Sequence, residues 1–300
     1  MLFIPLEEIR GKNKTAVIKF LLKYEEYCVQ LMAHLKRNIS NSYVVYVNDI
    51  NHDNLYGIIS LKKTVLYLLP YINSNQDTAL QEDFVYSLRK FIQDEKIAKP
   101  VCINGETEGM NVILKAYSEM NVKPSQINLY NLLKLDVQTF LKSLKSSLKN
   151  KPEDLQVIKC RKEMSENLKK QLVELQKKYE VEEVVPDCFE FDEDSCRLRF
   201  AQALRTQYIL ALKKTDGEII SKAGTNAIAQ KTVQIGGVYT AKDFRGNGYA
   251  NFLMKMLLFK IVKMHRNVVL FVKVQNQSAN NLYNSLSFRK IGSHSIAYFN

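Results

Sequence analysis

The stretch that most constrains this chain is an apolar, strand-like run at 233–240, followed by a short basic turn and an amphipathic pattern at 252–264. The turn closes on Arg245, Gly246, Asn247, Gly248, Tyr249 and Ala250, an Arg-x-x-Gly-x-Ala spacing. Strand, glycine turn and helix in that order make an anion cradle. The first N–H groups of a helix have no intrahelical partner, and the helix dipole favours negative charge on its axis there. Gly246 and Gly248 let the backbone come close to a ligand. Ala250 keeps the first helical turn small, and Arg245 adds a positive charge at the mouth. An ordinary glycine-rich strand-to-helix turn carries the same letters. Two other phosphate motifs do not fit. The lysine and hydroxyl of Gly-x-x-x-x-Gly-Lys-Ser/Thr are missing, and the glycine spacing is not that of a dinucleotide fingerprint.

A chain of 300 residues exceeds one small core and points to two domains. Asn150, Lys151, Pro152 and Glu153 punctuate it, which divides it into residues 1–150 and 151–300. Hydrophobic content of 46% with 25% charged residues is that of a globular protein, and no apolar run is long enough to span a bilayer. The first residues lack a basic segment and a long apolar stretch, so no secretory leader is expected and the expected location is the cytoplasm. The five cysteines have no Cys-x-x-Cys pair and the four histidines are scattered, which points to neither a disulfide framework nor a metal site. Cys160 reads as a small buried apolar residue in a strand. The net charge of +12 is compatible with nucleic acid, an acidic partner or an anionic ligand. The lysines are dispersed with no aromatic platform among them, and Lys, Asn and Ile are enriched together, as biased nucleotide composition also produces. Nucleic acid is therefore disfavoured.

Periodicity gives the order of elements. Residues 15–36 repeat apolar positions at helical spacing. Strands are expected at 43–47, 55–60, 64–69 and 101–103, the last ended by Asn104-Gly105. Helices are expected at 83–95, 107–120 and 137–149, with a strand at 126–135. The second part reads strand 155–160, helix 163–179, a loop with Glu182 and Glu183, helix 194–206, and strands at 208–213, 218–227 and 232–240. Thr215-Asp216-Gly217 is a hairpin turn. A buried strand at 268–274, a helix from Asn276, and two strands at 288–291 and 295–299 end the chain.

Two segments carry a family resemblance. Val238-Tyr239-Thr240 with Arg245-x-x-Gly248-x-Ala250 resembles the pyrophosphate loop of GNAT-superfamily acetyltransferases. Leu270-Phe271-Val272, then Asn276-x-x-Ala279-x-x-Leu282-Tyr283 and Leu286-Ser287-Phe288, resembles a second signature of the same superfamily, with Ser287 where Gly is usual. The resemblance covers roughly 155–300. It implies an α+β (α/β) GNAT fold, a mixed central sheet flanked by helices. The smaller α/β domain ahead of it has a similar order of elements and resembles a degenerate second copy, as in tandem GNAT proteins. It lacks any Arg-x-x-Gly-x-Gly/Ala loop. Its nearest glycine turn, 104–109, carries two glutamates that would repel a pyrophosphate. An unrelated α+β domain has the same order.

The resemblance implies an acetyl-CoA-dependent N-acetyltransferase, with acetyl-CoA as co-substrate, no metal, and a primary amine on a small molecule or protein as acceptor. Backbone amides of Arg245, Gly246, Asn247, Gly248, Tyr249 and Ala250 would bind the pyrophosphate. Val238, Tyr239 and Thr240 would run beside the pantetheine, with an N–H near Val238 or Tyr239 polarising the thioester carbonyl. Asn276 and Asn280 would contact the pantetheine side. Tyr283 falls where the family places the acid for the departing thiolate; a core tyrosine would occupy the same place. Glu182 and Glu183 are candidate general bases, and equally a solvated acidic pair. Two other readings stand beside this one: a non-catalytic acyl-CoA-binding regulatory module and a tRNA-dependent aminoacyl transferase. The acceptor-choosing loops carry no readable code, and nothing in the sequence sets the oligomeric state.

Overall fold

A computed structural model describes residues 1–70, 78–147 and 154–300. The chain forms two compact units, Met1–Leu132 with Gly292–Asn300, and Leu133–Ile291. The punctuation at 150–153, where the sequence reading divides the chain, lies outside the described residues.

The first unit contains β1 (Leu2–Pro5), α1 (Gly11–Lys23), α2 (Val29–Leu35), β2 (Ser42–Tyr46), β3 (Leu55–Ser60), β4 (Thr64–Leu68), α3 (Thr78–Asp94), β5 (Cys102–Glu106) and α4 (Thr107–Ser118), and most of β6 (Gln126–Leu135). The helix expected over 15–36 is two helices separated by a 3-10 turn, Glu25–Tyr27. The tighter turn rotates α2 so that Val29, Leu31, Met32 and Ala33 are all buried. No Pro or Gly marks the break, so spacing alone reads straight through it. β1 to β4 pair antiparallel in succession, and β5 lies parallel to β4. β5 runs through the expected Asn104-Gly105 turn.

The second unit contains α5 (Val137–Ser147), β7 (Leu155–Cys160), α6 (Glu166–Tyr179), α7 (Glu193–Thr206), β8 (Ile209–Lys214), β9 (Ile219–Ile228), β10 (Thr232–Thr240), α8 (Tyr249–Lys263), β11 (Asn267–Lys273) and α9 (Gln277–Ser285). β7 to β10 pair antiparallel in succession and β11 lies parallel to β10. This repeats the order and sense of β1 to β5. The β8–β9 hairpin turns at Gly217, which has φ 95°. Alternation along β8 divides its side chains between two cores. Leu210 and Leu212 join α5 and α8 in one; Ile209 and Ala211 join α6 and α7 in the other. Cys160 is buried there as expected.

The two strands expected at 288–291 and 295–299 are one, β12 (Phe288–Tyr298). Its first residues belong to the second unit and the rest to the first. There His294, Ser295, Ile296, Ala297 and Tyr298 pair antiparallel with β5, and the strand runs through Gly292 and Ser293 without a turn. No helix among the described residues is long and apolar enough to cross a membrane.

The repeat shows what became of the glycine turn at 104–109. By order of elements it stands where the second unit has Asn276, ahead of the helix after the parallel strand, and not at the pyrophosphate-type loop. The corresponding loop of the first unit is the link from β4 to α3, which has neither Arg nor Gly and is largely outside the described residues. Gly105 and Gly109 leave room for the ring of Tyr67, which a Cβ at either would strike. The Tyr67 hydroxyl donates to the Glu106 carbonyl. The Glu106 carboxylate accepts the N–H groups of Glu108 and Gly109 at 3.0 and 3.1 Å, so the chain supplies its own anion to the N-terminus of α4.

Candidate active site

β10 and β11 separate as they run forward. Their parallel ladder joins Thr232, Val233, Gln234 and Ile235 to Asn267, Val268, Val269 and Leu270 and stops, although the strands continue to Thr240 and Lys273. On the other edge of β10, the register against β9 shifts between Gly236 and Tyr239. Gly237 occupies this bulge at φ 63°, a conformation that costs an L side chain about 1–2 kcal/mol. Gly237 and Val238 have no partner residue in either ladder. The bulge therefore takes both residues out of the ladders beside the split.

β10 leads through a 3-10 turn, Lys242–Phe244, to Gly246 and Gly248, at φ 82° and 75°. Gly248 is the N-cap of α8, and no side chain caps it. Among the described residues, none of the N–H groups at 246–251 donates to the protein. A Cβ at Gly246 or Gly248 would meet nothing within 4 Å, so the turn is open. α8 is anchored by Leu253, Met254, Leu257, Leu258 and Ile261, all buried, each worth about 2 kcal/mol. Tyr249 packs on the same core, and Ala250 is half-buried at the first turn. The result is a fixed, uncapped helix N-terminus with its donors unpaired, which fits a pyrophosphate.

Arg245 does something other than the sequence reading expects. Its side chain turns back from the loop. Nε donates to the Thr240 carbonyl at 3.0 Å, and Nη2 donates to Glu182 at 2.7 Å. The guanidinium lies 5.2 Å from the centre of the Tyr239 ring. The Tyr239 hydroxyl donates to the other Glu182 oxygen at 2.6 Å. Burial pushes the Glu182 carboxyl up, but Tyr239 and Arg245 outweigh it and hold the carboxyl below its ordinary range. Burial and the Glu182 bond push Tyr239 up to about 12. Thr240 Oγ1 bonds Ser221 Oγ at 2.9 Å.

Glu182 and Glu183 lie in a π-helical turn, Glu180–Val184, that continues α6, where the sequence reading expects a loop. The wider turn sends the two neighbours to different walls. Glu182 goes to β10; Glu183 accepts from Asn276 Nδ2 at 3.2 Å. Asn276 Oδ1 caps α9 by accepting the Ala279 N–H at 2.9 Å. Asn280 Nδ2 donates to the carbonyls of Lys273 and Asn276 at 3.1 and 2.8 Å. Both asparagines thus build the turn into α9.

Tyr283 is 7% exposed and packs edge-on against Phe288 at 5.8 Å. Among the described residues its hydroxyl has no hydrogen-bond partner. Burial, then the proximity of Tyr179 and Glu183, raises it well above the ordinary phenol range. Tyr179 meets the Tyr239 ring at 6.1 Å, which ties the α9 wall to the β10 wall. Ser287 has φ 68°, so the position where Gly is usual does require the left-handed region.

Three residues here escaped the sequence reading: Tyr179, Ser221 and Lys222. Lys222 is the most telling, since it is buried in β9. Its signal was a lysine at the centre of Ile-Ile-Ser-Lys-Ala-Gly, an otherwise apolar strand.

Residues 170–288 match the family described as Acetyltransferase (GNAT) family. No curated protein matches the chain. Among solved structures, a Drosophila protein aligns at 11% identity with a TM-score of 0.65, covering 99% of this chain and 97% of that one. A tandem GNAT protein from the clavulanic acid biosynthesis pathway aligns at 11% identity and TM-score 0.57, again over 99% and 97%. An acetyltransferase from the GNAT family of Colwellia psychrerythraea aligns at 12% identity and TM-score 0.52, over 97% and 98%. These matches, with the split strands and the uncapped helix, make residues 170–288 a domain of the acetyltransferase (GNAT) family within a chain that has the fold of tandem GNAT proteins.

Proposed function

We propose that the second unit is an acetyl-CoA-dependent N-acetyltransferase acting on a primary amine. The observation that carries this is the set of unpaired N–H groups at 246–251 on an open glycine turn, at the end of a strand that has parted from its neighbour. Acetyl-CoA, when bound, supplies a thioester carbonyl and a thiolate leaving group. The N–H groups at 246–251 hold the diphosphate. The Val238 or Tyr239 N–H donates to the acyl oxygen as charge develops on it; one such donor is worth about 10²–10³-fold in rate. As the amine nitrogen bonds to the acyl carbon and the C–S bond breaks, Tyr283, kept protonated by its surroundings, gives its proton to the departing sulfur and takes back the second proton of the new amide nitrogen. Glu183, on the same wall as Tyr283 and joined to Asn276, accepts the proton of the incoming ammonium. Glu182, held as an anion by Arg245 and Tyr239, braces the loop.

Thermal unfolding with and without acetyl-CoA tests this. A ligand that binds only the folded state raises Tm. The wild type is expected to shift, and Gly248→Glu, which brings a carboxylate to the phosphate position, is expected not to. No wild-type shift at saturating acetyl-CoA would refute the reading. A shift without turnover over a broad amine panel would leave a binding module in its place.

A further inference from the structure

We propose that Lys222 is a positioning residue for acyl transfer, setting the aim and donor strength of the Val238 N–H through the peptide group that precedes it; this rests on the acyl-transfer reading above. Lys222 is 2% exposed. Its Nζ donates to the Gly237 carbonyl at 2.9 Å and lies 4.4 Å from the centre of the Tyr179 ring. No carboxylate is bonded to it among the described residues. An ammonium buried without an ion pair is costly, so its one hydrogen bond and one aromatic face must hold it.

That hydrogen bond falls on a particular peptide. The Gly237 carbonyl and the Val238 N–H belong to the same planar, conjugated unit. Drawing electron density onto the oxygen makes the N–H a stronger donor, and hydrogen bonds in a chain reinforce one another by about 10–30% each. The positive charge behind the peptide adds to this in a low-dielectric setting. The bulge leaves Gly237 and Val238 without a ladder partner, so the effect is not absorbed by a neighbouring strand. A Cβ at Gly237 would lie 3.2 Å from Lys222 Nζ, so the glycine and the lysine share one small space.

The titratable groups near the ammonium come from five elements: Cys160 on β7, Tyr179 on α6, Glu180 in the π-helical turn, Cys196 on α7 and Tyr239 on β10, which is paired with Lys222 across the ladder and packs on Tyr179. Burial lowers Lys222 to about 7, opposed by Cys160, Glu180 and Cys196. Burial pushes Cys160 up to about 12 and Cys196 up to about 11, so both remain thiols near neutrality. The Glu180 carboxylate is joined to Arg199 at 2.5 Å and Gln176 at 2.9 Å. Lys222 therefore changes charge where the two thiols do not.

The experiment has two arms. In the first, the Val238 amide of the wild type is followed by heteronuclear NMR from pH 5.5 to 9. It is expected to titrate with a midpoint near that of Lys222, about 7. This arm needs no activity, and an amide that does not move over that range overturns the proposal. In the second, Lys222→Met keeps length and removes charge. Its kcat is expected to fall about tenfold or more, with the acetyl-CoA Tm shift and KM within about twofold of wild type. Wild-type kcat is expected to decline as Lys222 loses its charge above about pH 7, and that decline is expected to vanish in the variant. An unchanged kcat, or an unchanged pH profile, overturns it as well. A Val238 titration in a protein that shows no acetyl-CoA shift would leave the Lys222 linkage standing and refute the acyl-transfer reading alone.

Discussion

Arg245 and Glu182, 63 residues apart in sequence, meet at 2.7 Å, and the hydroxyl of Tyr239 takes the second oxygen of the same carboxylate at 2.6 Å. The pair ties the π-helical turn after α6 to the loop before α8. It also directs the Arg245 side chain to Glu182 and the Thr240 carbonyl.

Glu182→Gln should therefore act as a structural change. The partners are partly exposed, so at most about 1 kcal/mol of stability is at stake. The folded carboxyl is held below its unfolded value. Its contribution is thus present above the ordinary carboxylate range and lost as pH falls through the lowered value. Urea unfolding at neutral pH should show the variant less stable than wild type, with the gap closing in acid. KM for acetyl-CoA should rise more than kcat falls.

Tyr283→Phe removes a hydroxyl that bonds nothing among the described residues and keeps the ring that packs on Phe288. Stability should be unchanged within about 0.5 kcal/mol. If Tyr283 protonates the leaving sulfur, kcat should drop by about 10²-fold while acetyl-CoA still raises Tm. A variant with wild-type kcat would return Tyr283 to the core.

Glu106 in the first unit separates capping from charge. Burial raises its carboxyl above the ordinary range against the pull of the Gly109 and Glu108 N–H groups. A raised folded value means that the charged form disfavours folding, so stability declines as pH rises from the unfolded value through the raised one. Glu106→Ala should cost about 1 kcal/mol through the lost cap. Glu106→Gln keeps an acceptor without the charge and should be at least as stable as wild type at pH 7. Paired chemical denaturation curves read both.

His294 bonds Asn104 through Nε2 at 2.6 Å in the first unit. Burial lowers it to about 3. The unfolded chain then binds the proton more readily over the interval below pH 6.5, and stability falls as pH drops from 6.5 towards 3. His294→Gln should flatten that acid limb relative to wild type, whatever its effect at pH 8. An acid limb of undiminished slope would assign the loss to other groups.

What could be read in advance and what could not follows from the range of each signal. The strand, glycine turn and helix at 232–264 were legible because local spacing and positive-φ residues determine them. The Asn276 to Phe288 signature was legible for the same reason; the left-handed backbone at Ser287 came only with the structure. The direction of Arg245 was not, because the carboxylate that turns it lies on a distant element. The division of Glu182 and Glu183 between two walls depends on a π-helical turn, which leaves no periodic mark in five residues. Lys222 was visible only as an oddity, since its acceptor is a backbone carbonyl in a bulge. β12 was split in two because Gly292 and Ser293 look like punctuation in sequence, although the strand runs through them.

β12 bears on the order in which the protein can be completed as it is made. Ala297 and Phe299 are buried in the core of the first unit, and His294 to Tyr298 cover the edge of β5. Everything else in that unit has been synthesised by residue 132. At ordinary translation speeds the nascent first unit waits roughly 10–30 s for its last strand. Through that interval it presents an open sheet edge, the kind of surface that pairs with other chains. The second unit has by then been wholly synthesised. Vectorial folding is therefore inverted here: the half that is made first is finished last.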